Sequence, residues 1–383
     1  MFASLIQFIR EQYRTNDFIP LHAPVFSGRE RDYVLETIES TFVSSVGAFV
    51  ERFESDMASY TGSPKAVATV NGTAALHTAL MLAGVQSGDL VITQALTFVA
   101  TCNAIAYCGA QPVFIDVDRH TLGLSPLALD KWLEEMARKD DDGTCRLKST
   151  GQVVRACVPM HTFGHPVELD SLVAVCARWG LALVEDAAES LGSFYKGRHT
   201  GVFGRVGVLS FNGNKIITTG GGGMILADED LGRRAKHITT TAKQPHPYEY
   251  IHDEVGYNYR LPNLNAALGC AQLEQLEYFV AAKRKLAAAY SAALQGSDLS
   301  FFTEPDNCRS NYWLNAVICE DSKARDALLK ETNESGVMTR PIWHLMNHLP
   351  MYGACLRGDL TNSEWLAERI VNLPSSVVME LPG

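Results

Sequence analysis

A lysine placed just past an apolar run can do carbonyl chemistry if the backbone around it lets a flat ligand approach. Lys215 has that setting: it closes Phe211-Asn212-Gly213-Asn214-Lys215 and precedes Thr218-Thr219-Gly220-Gly221-Gly222-Gly223. An amine held there and partly desolvated can form a Schiff base, although a single lysine in a polar loop is ordinarily solvated surface. Its companions decide between the two. Glu185-Asp186-Ala187-Ala188-Glu189 follows the apolar run Leu181–Val184. A carboxylate at a buried strand end is costly without a partner, and a protonated ring nitrogen would be one; a helix-start acid is the alternative. Glu189 falls near the same site if a helical turn begins here. Asn71-Gly72-Thr73-Ala74-Ala75-Leu76 follows Ala66–Val70. There Gly72 permits close approach, Thr73 can cap the next helix, and free N–H groups favour phosphate, unless this is an ordinary N-cap. Phe98 opens a further helix and can stack on a planar ring or pack in the core. Ser210, at the end of the run that leads to Lys215, can hold the same phosphate as Thr73.

Those residues need a scaffold that gathers strand ends. From about residue 65 the chain alternates short β-rich apolar runs with helical stretches. The predicted strands are Ala66–Val70, Leu90–Thr93, Pro112–Asp116, Val153–Pro159, Leu181–Glu185, Val206–Phe211 and Met224–Ala227. Predicted helices cover Ala74–Ala83, Phe98–Tyr107, Pro126–Arg138 and Asp170–Trp179, and Lys139–Thr150 reads as a polar loop. Strands apolar throughout and separated by helices imply an α/β fold, a mostly parallel seven-stranded sheet covered on both faces. Ligands of such a sheet gather beyond the carboxyl ends of its strands, where all the motifs above fall. After Asp228 the texture turns helical, with a long Leu264–Gln295 stretch and apolar runs at Tyr312–Cys319 and Gly336–Ile342. The expected division is a large domain over 1–245, including the N-terminal segment, and a smaller C-terminal α+β domain over 246–383.

Composition narrows the partners. The 383 residues carry 33 Lys+Arg against 43 Asp+Glu, a net charge of -10, with no basic tract, so nucleic acid is not expected. Nine scattered cysteines without a CxxC pair fit reduced thiols, no secretory core opens the chain, and no apolar run reaches membrane-spanning length. The expected location is the cytoplasm, without membrane contact. His161 and His165 are four apart, but Gly164 and Pro166 break a helix between and after them and no third ligand is evident, so no metal is expected.

A phosphate cradle, a stacking face, an acid for a ring nitrogen and a Schiff-base amine together are what pyridoxal 5'-phosphate requires. The chain resembles the nucleotide-sugar aminotransferases of the DegT/DnrJ/EryC1/StrS family, fold-type I pyridoxal-phosphate enzymes. The resemblance covers nearly the whole chain. It rests on Phe42-Val43-Ser44-Ser45-Val46-Gly47, Asn71–Leu76, Thr97-Phe98-Val99-Ala100-Thr101, Glu185–Glu189, Ser210–Lys215 and Gly256-Tyr257-Asn258-Tyr259-Arg260, in the family's order.

The resemblance implies that Lys215 bonds the cofactor and then moves the proton, with Asp186 on the ring nitrogen and Phe98 on the ring face. It implies Gly72, Thr73 and Ser210 at the phosphate, with Asn258 reaching it from the other subunit of a homodimer. Glu189 stands where the family has a residue near the ring hydroxyl, often Gln or His. Gly220–Gly223 reads Gly-Gly-Gly-Gly where many relatives have Gly-Glu-Gly-Gly. Ile19–Phe26 and Met338-Thr339-Arg340-Pro341-Ile342-Trp343 most resemble the legionaminic-acid-pathway branch. That branch aminates C4 of a UDP-linked 4-keto-6-deoxy-N-acetylhexosamine in bacterial surface-sugar synthesis. Arg340, Trp343 and His344 are then candidate sugar-nucleotide contacts, or small-domain packing, and glutamate is the expected amino donor. Two alternatives remain: a sugar dehydratase of the same fold, whose relatives carry His in place of the lysine, and a non-catalytic cofactor-binding homologue.

Overall fold

The computed structural model describes residues 2–379. Its centre is a seven-stranded sheet built from β1 (Lys65–Thr69), β2 (Leu90–Gln94), β3 (Gln111–Ile115), β4 (Val154–Val158), β5 (Ala182–Asp186), β6 (Val206–Ser210) and β7 (Gly223–Ala227), in the order β1-β7-β6-β5-β4-β2-β3. Only β7 runs against the others. Each strand expected from the sequence is present, within a residue or so at its ends.

Both faces of the sheet are buried, and the alternation of side chains shows why these runs are apolar throughout. Val67, Val208 and Ile225 point to one core, with helices Gly72–Leu82 and Glu229–Thr239. Ala66, Ala68, Leu209, Met224 and Leu226 point to the other, with helices Ala48–Thr61 and Asn263–Glu274. Each of the larger side chains contributes about 1.5–3 kcal/mol by leaving water.

A second sheet holds β8 (Ser300–Phe301), β9 (Asn315–Ile318), β10 (Arg340–Pro341) and β11 (Ile370–Leu373), antiparallel in the order β8-β9-β11-β10. Helix Leu276–Ala293 packs with it in a core that also takes Leu5 and Ile9 of the N-terminal helix Ala3–Tyr13. Ile19 bridges to Val337, so the first segment of the chain lies against this part of the molecule.

Three local expectations are corrected. Helix Gly72–Leu82 begins two residues earlier than expected, and Asn71 is its cap: Asn71 Oδ1 accepts from Ala74 N at 2.8 Å. Thr73 therefore sits inside the first turn rather than capping it. The stretch read as a polar loop contains a short hairpin, Ala137–Lys139 with Cys145–Leu147, which its charged residues concealed. The long helical stretch after residue 263 breaks at Gln275 into Asn263–Glu274 and Leu276–Ala293.

Candidate active site

The register of three strands builds one wall. Gly223 is opposite Thr69 on β1 and opposite Ser210 on β6, so the turn after β1 and the end of β6 meet across the start of β7. A Cβ on Gly72 would lie 3.0 Å from Ser210 Oγ, and one on Gly223 would lie 2.6 Å from Asn71 O. Glycine at both positions follows from that crowding. Gly72 and Thr73 open the helix, where N–H groups have no intrahelical acceptor. Neither the Thr73 nor the Ser210 hydroxyl has a hydrogen-bond partner among the described residues. This cradle of free donors at a positive helix end fits a phosphate. Gly221 meets nothing nearer than Val70 O at 4.0 Å, so a side chain has room there, whereas a Cβ on Gly222 would strike Thr219 Oγ1 at 2.3 Å.

Asp186 ends β5 and is buried, with 2% of its surface exposed. Thr101 Oγ1 donates to its Oδ2 at 2.7 Å and Ala188 N to its Oδ1 at 3.2 Å. Burial raises the carboxyl above its ordinary pKa, against the opposing pull of Thr101, Ala188 and Lys215. The neighbouring Glu185 points to the opposite face and is fully satisfied. It accepts from Gly201 N (2.8 Å), Phe203 N (2.6 Å) and Gly204 N (2.7 Å) and contacts His161 Nε2 at 3.1 Å. Burial alone would raise Glu185 too, but His161 and those N–H groups outweigh it and hold the carboxyl low. Of the two acids, Asp186 is the one with capacity left for a cation.

Lys215 stands in the loop after β6, its side chain mostly buried. Its Nζ lies 3.2 Å from Glu189 Oε1 and 4.0 Å from the centre of the Trp313 ring. Glu189 Oε2 accepts from Phe163 N at 2.9 Å, and Trp313 Nε1 donates to Asn214 O at 2.7 Å. Burial raises the Glu189 carboxyl, with Lys215 and the Phe163 N–H pulling the other way. Phe98, 48% exposed, stands at the N-cap of helix Val99–Tyr107, and Trp343 and Phe163 continue the aromatic wall, at 6.2 Å from Phe98 to Trp343 and 5.3 Å from Phe163 to Trp343.

The structure thus brings together Gly72 with Ser210, and Lys215 with Glu189, Asp186 and Trp313, and sets Trp343 beside Phe98. Arg340, Trp343 and His344 line a cavity of ≈ 680 Å³ that also includes Asn214 and Trp313. Asn258 lies elsewhere, exposed, in a segment that bridges Thr240; its Oδ1 accepts from Arg260 Nε at 3.0 Å. His161 is committed to Glu185 and Val167 N, and both ring nitrogens of His165 are buried without partners between Phe302 and Tyr312.

Four residues escaped the reading of the sequence: Thr101, Phe163, Asn311 and Trp313. Thr101 carried a weak signal, its place in the first turn of the helix that Phe98 opens, and its hydroxyl lies 3.0 Å from that of Thr97. The other three arrive from distant loops and carried none.

This sheet, with an amine, a buried acid and a phosphate cradle at its strand ends, is the architecture of fold-type I pyridoxal-phosphate aminotransferases. Residues 25–381 match the DegT/DnrJ/EryC1/StrS aminotransferase family, and the chain belongs to that family. Its relatives include EpsN of Bacillus subtilis (strain 168), 38% identical over 340 residues, covering 88% of this chain and 84% of EpsN. GDP-perosamine synthase of Escherichia coli O157:H7 is 34% identical over 359 residues, covering 94% of this chain and 93% of that protein. Among solved structures, the aminotransferase TlmJ from Streptoalloteichus hindustanus superposes with a TM-score of 0.85 at 29% identity, covering 95% of each chain. The protein is a pyridoxal-phosphate-dependent sugar aminotransferase.

Proposed function

We propose that the protein transfers an amino group from L-glutamate to the C4 keto group of a UDP-linked 4-keto-6-deoxy-N-acetylhexosamine, in bacterial surface-sugar synthesis in the cytoplasm. The observation that carries the chemistry is Asp186, a buried carboxylate with two neutral donors and its remaining capacity turned toward Lys215. Bound pyridoxal phosphate supplies an aldehyde that condenses with amines and a ring that draws electrons from the bond being broken. Gly72, Thr73 and Ser210 would hold the phosphate, Phe98 would face the ring, and Asp186 would keep the ring nitrogen protonated. Lys215 would bond the aldehyde and, once displaced, would carry a proton to and from the substrate carbon. The aromatic wall of Phe98, Phe163 and Trp343 keeps water from that carbon.

Arg340, Trp343 and His344 are assigned to the sugar nucleotide, in support of which they share a cavity with Asn214, next to Lys215. A homodimer with Asn258 of one subunit at the other's phosphate site accounts for the exposed apolar residues of this region. Tyr248, Tyr250 and Val255 are 82%, 81% and 81% exposed on and beside a hairpin closed by the Lys243–His252 bridge. No helix among the described residues is long and apolar enough to cross a membrane. The division into domains at about residue 245 is part of the same reading.

A GDP-linked substrate is the second reading, favoured by the relatives named GDP-perosamine synthase. A panel of UDP- and GDP-linked 4-keto-6-deoxy sugars, assayed with L-glutamate and read by mass spectrometry, separates them. An amino sugar formed only from UDP-N-acetyl substrates supports the first reading, and one formed only from GDP substrates replaces it. Lys215→Ala must form none; turnover by that variant overturns the assignment of the lysine.

A further inference from the structure

In an amino-transfer cycle the lysine must be released from the cofactor, and the structure shows where a free Lys215 lies. The Lys215 ammonium lies between Glu189 Oε1, at 3.2 Å, and the face of Trp313, at 4.0 Å. We propose that Glu189 and Trp313 form a resting place for the displaced Lys215, in which Glu189 exchanges a proton with it. This rests on the reading of Lys215 given above and makes both partners positioning residues for the reaction.

Each wall of the resting place is fixed independently of the lysine. Glu189 is held by Phe163 N at its Oε2 and by Asn311 Nδ2, which donates to the Glu189 carbonyl at 2.9 Å. Asn311 also accepts from Trp313 N at 2.8 Å, so one side chain spans both walls. The backbone is strained at both: Phe163 has φ 56° and Tyr312 has φ 48°, left-handed values that bulky residues rarely adopt. Strain of that kind persists where surrounding contacts enforce it and clusters at functional sites. Trp313 Nε1 is tied to the loop that carries Lys215, through Asn214 O.

The proton inventory follows. While Lys215 is bonded to the cofactor, Glu189 is buried without an ammonium beside it, and burial favours its neutral acid. Once the substrate proton has been handed on and Lys215 rests as a neutral amine, the Glu189 O–H bond breaks and an N–H bond forms, leaving a carboxylate and an ammonium. For Lys215 to act again as base or nucleophile the same proton returns to Glu189. No other reactant is needed. The remaining charged and titratable groups that face the pair are Asp186, from the same turn, and His22, from the N-terminal segment, with Lys283 of helix Leu276–Ala293 beyond His22.

The test uses the holoenzyme, converted by excess L-glutamate to the aminated cofactor so that Lys215 is free. Acetylation of Lys215 by acetic anhydride is then followed by peptide mass spectrometry from neutral to alkaline pH. Glu189→Gln removes the counter-ion but keeps the shape, so the pH midpoint of reactivity must fall and Lys215 must react about tenfold or more faster below it. Trp313→Leu must shift the midpoint the same way by less, and Trp313→Phe must restore most of it, because a ring still faces the ammonium. A midpoint that stays put or rises in Glu189→Gln overturns the proposal. If that variant does not fold, the Trp313 pair decides: equal midpoints for Leu, Phe and wild type overturn it. If glutamate fails to bleach the visible band of the wild type, the donor assignment fails instead, and pyridoxamine phosphate added to cofactor-free protein gives the same free lysine.

Discussion

Asp186→Asn should do opposite things to the chemistry and to the stability of the cofactor-free protein. Asparagine keeps the size, and with its Oδ1 accepting from Ala188 N its Nδ2 donates to the Thr101 hydroxyl, so the fold is not at risk. What is lost is the negative charge that, in the role proposed for Asp186, holds the ring nitrogen protonated. An opposite charge in contact moves a pKa by about 1–3 units, so its loss lowers the protonated fraction about 10- to 1,000-fold, equivalent to about 1.4–4 kcal/mol. The glutamate half-reaction, followed by stopped-flow loss of the visible band, should slow by that factor. Cofactor content should fall less, because the phosphate cradle and Lys215 are untouched. In the cofactor-free protein the sign reverses. Burial puts the folded pKa of Asp186 above its unfolded value, so the folded state holds the proton more tightly than the unfolded state between those two pH values. Stability therefore falls as pH rises through that window, and the penalty is fully present only above the folded pKa. Asparagine removes it, and the melting temperature of the cofactor-free variant should equal or exceed that of wild type. A half-reaction within about threefold of wild type at full cofactor occupancy would refute the role given to Asp186.

Three further outcomes are expected. Thr101→Val removes the side-chain donor to Asp186, which costs about 1–3 kcal/mol for a buried acceptor left unpaired and should slow the glutamate half-reaction about tenfold; an unchanged rate would remove Thr101 from the site. Gly223→Ala drives a Cβ to 2.6 Å from Asn71 O and should cost about 1–3 kcal/mol in denaturant melts together with phosphate affinity, whereas Gly221→Ala, with its nearest atom 4.0 Å away, should stay within about 0.5 kcal/mol; similar losses in both would contradict the cradle geometry. Lys283, buried and pushed down to about 7, releases its proton in the folded state well before the unfolded chain does at about 10.4, so stability rises with pH across that window; Lys283→Met should flatten the rise, and parallel curves of melting temperature against pH would refute it.

The sheet was legible because strands buried on both faces are apolar throughout and punctuated by glycine, so seven runs could be placed from pattern alone. The crowded corner proposed to take the phosphate left its mark for a related reason. Gly72, Ser210 and Gly223 crowd one another through the pairing of β1, β6 and β7, and crowding leaves glycine in the sequence. The lysine side was not. Trp313, Asn311 and Phe163 reach Lys215 only through closure of loops that lie far away in sequence, and a tryptophan in an apolar run reads as core. The hairpin at Ala137–Leu147 was hidden too, since Lys139, Arg146 and Asp140 give it the composition of a loop, and Asp140 holds it by accepting from Arg146 Nε at 2.8 Å.

Glu185 and Asp186 show where pattern stops and geometry begins. As two acids in a row at a strand end they are interchangeable candidates for a ring nitrogen. The two-residue period of the strand sends them to opposite faces, and the faces differ. One meets three backbone N–H groups and His161, which satisfy it and lower its pKa, so it is a structural anchor for the Gly201–Gly204 turn. The other meets a threonine, one N–H and the lysine, and burial leaves it short of a charge partner. Substituting Glu185 with Gln should therefore loosen that turn and lower stability at neutral pH. It should leave the protonation of the ring nitrogen, read from the visible spectrum of the bound cofactor, as in wild type. If the spectrum changes as it does in Asp186→Asn, the two faces do not divide structure from chemistry as the strand geometry requires.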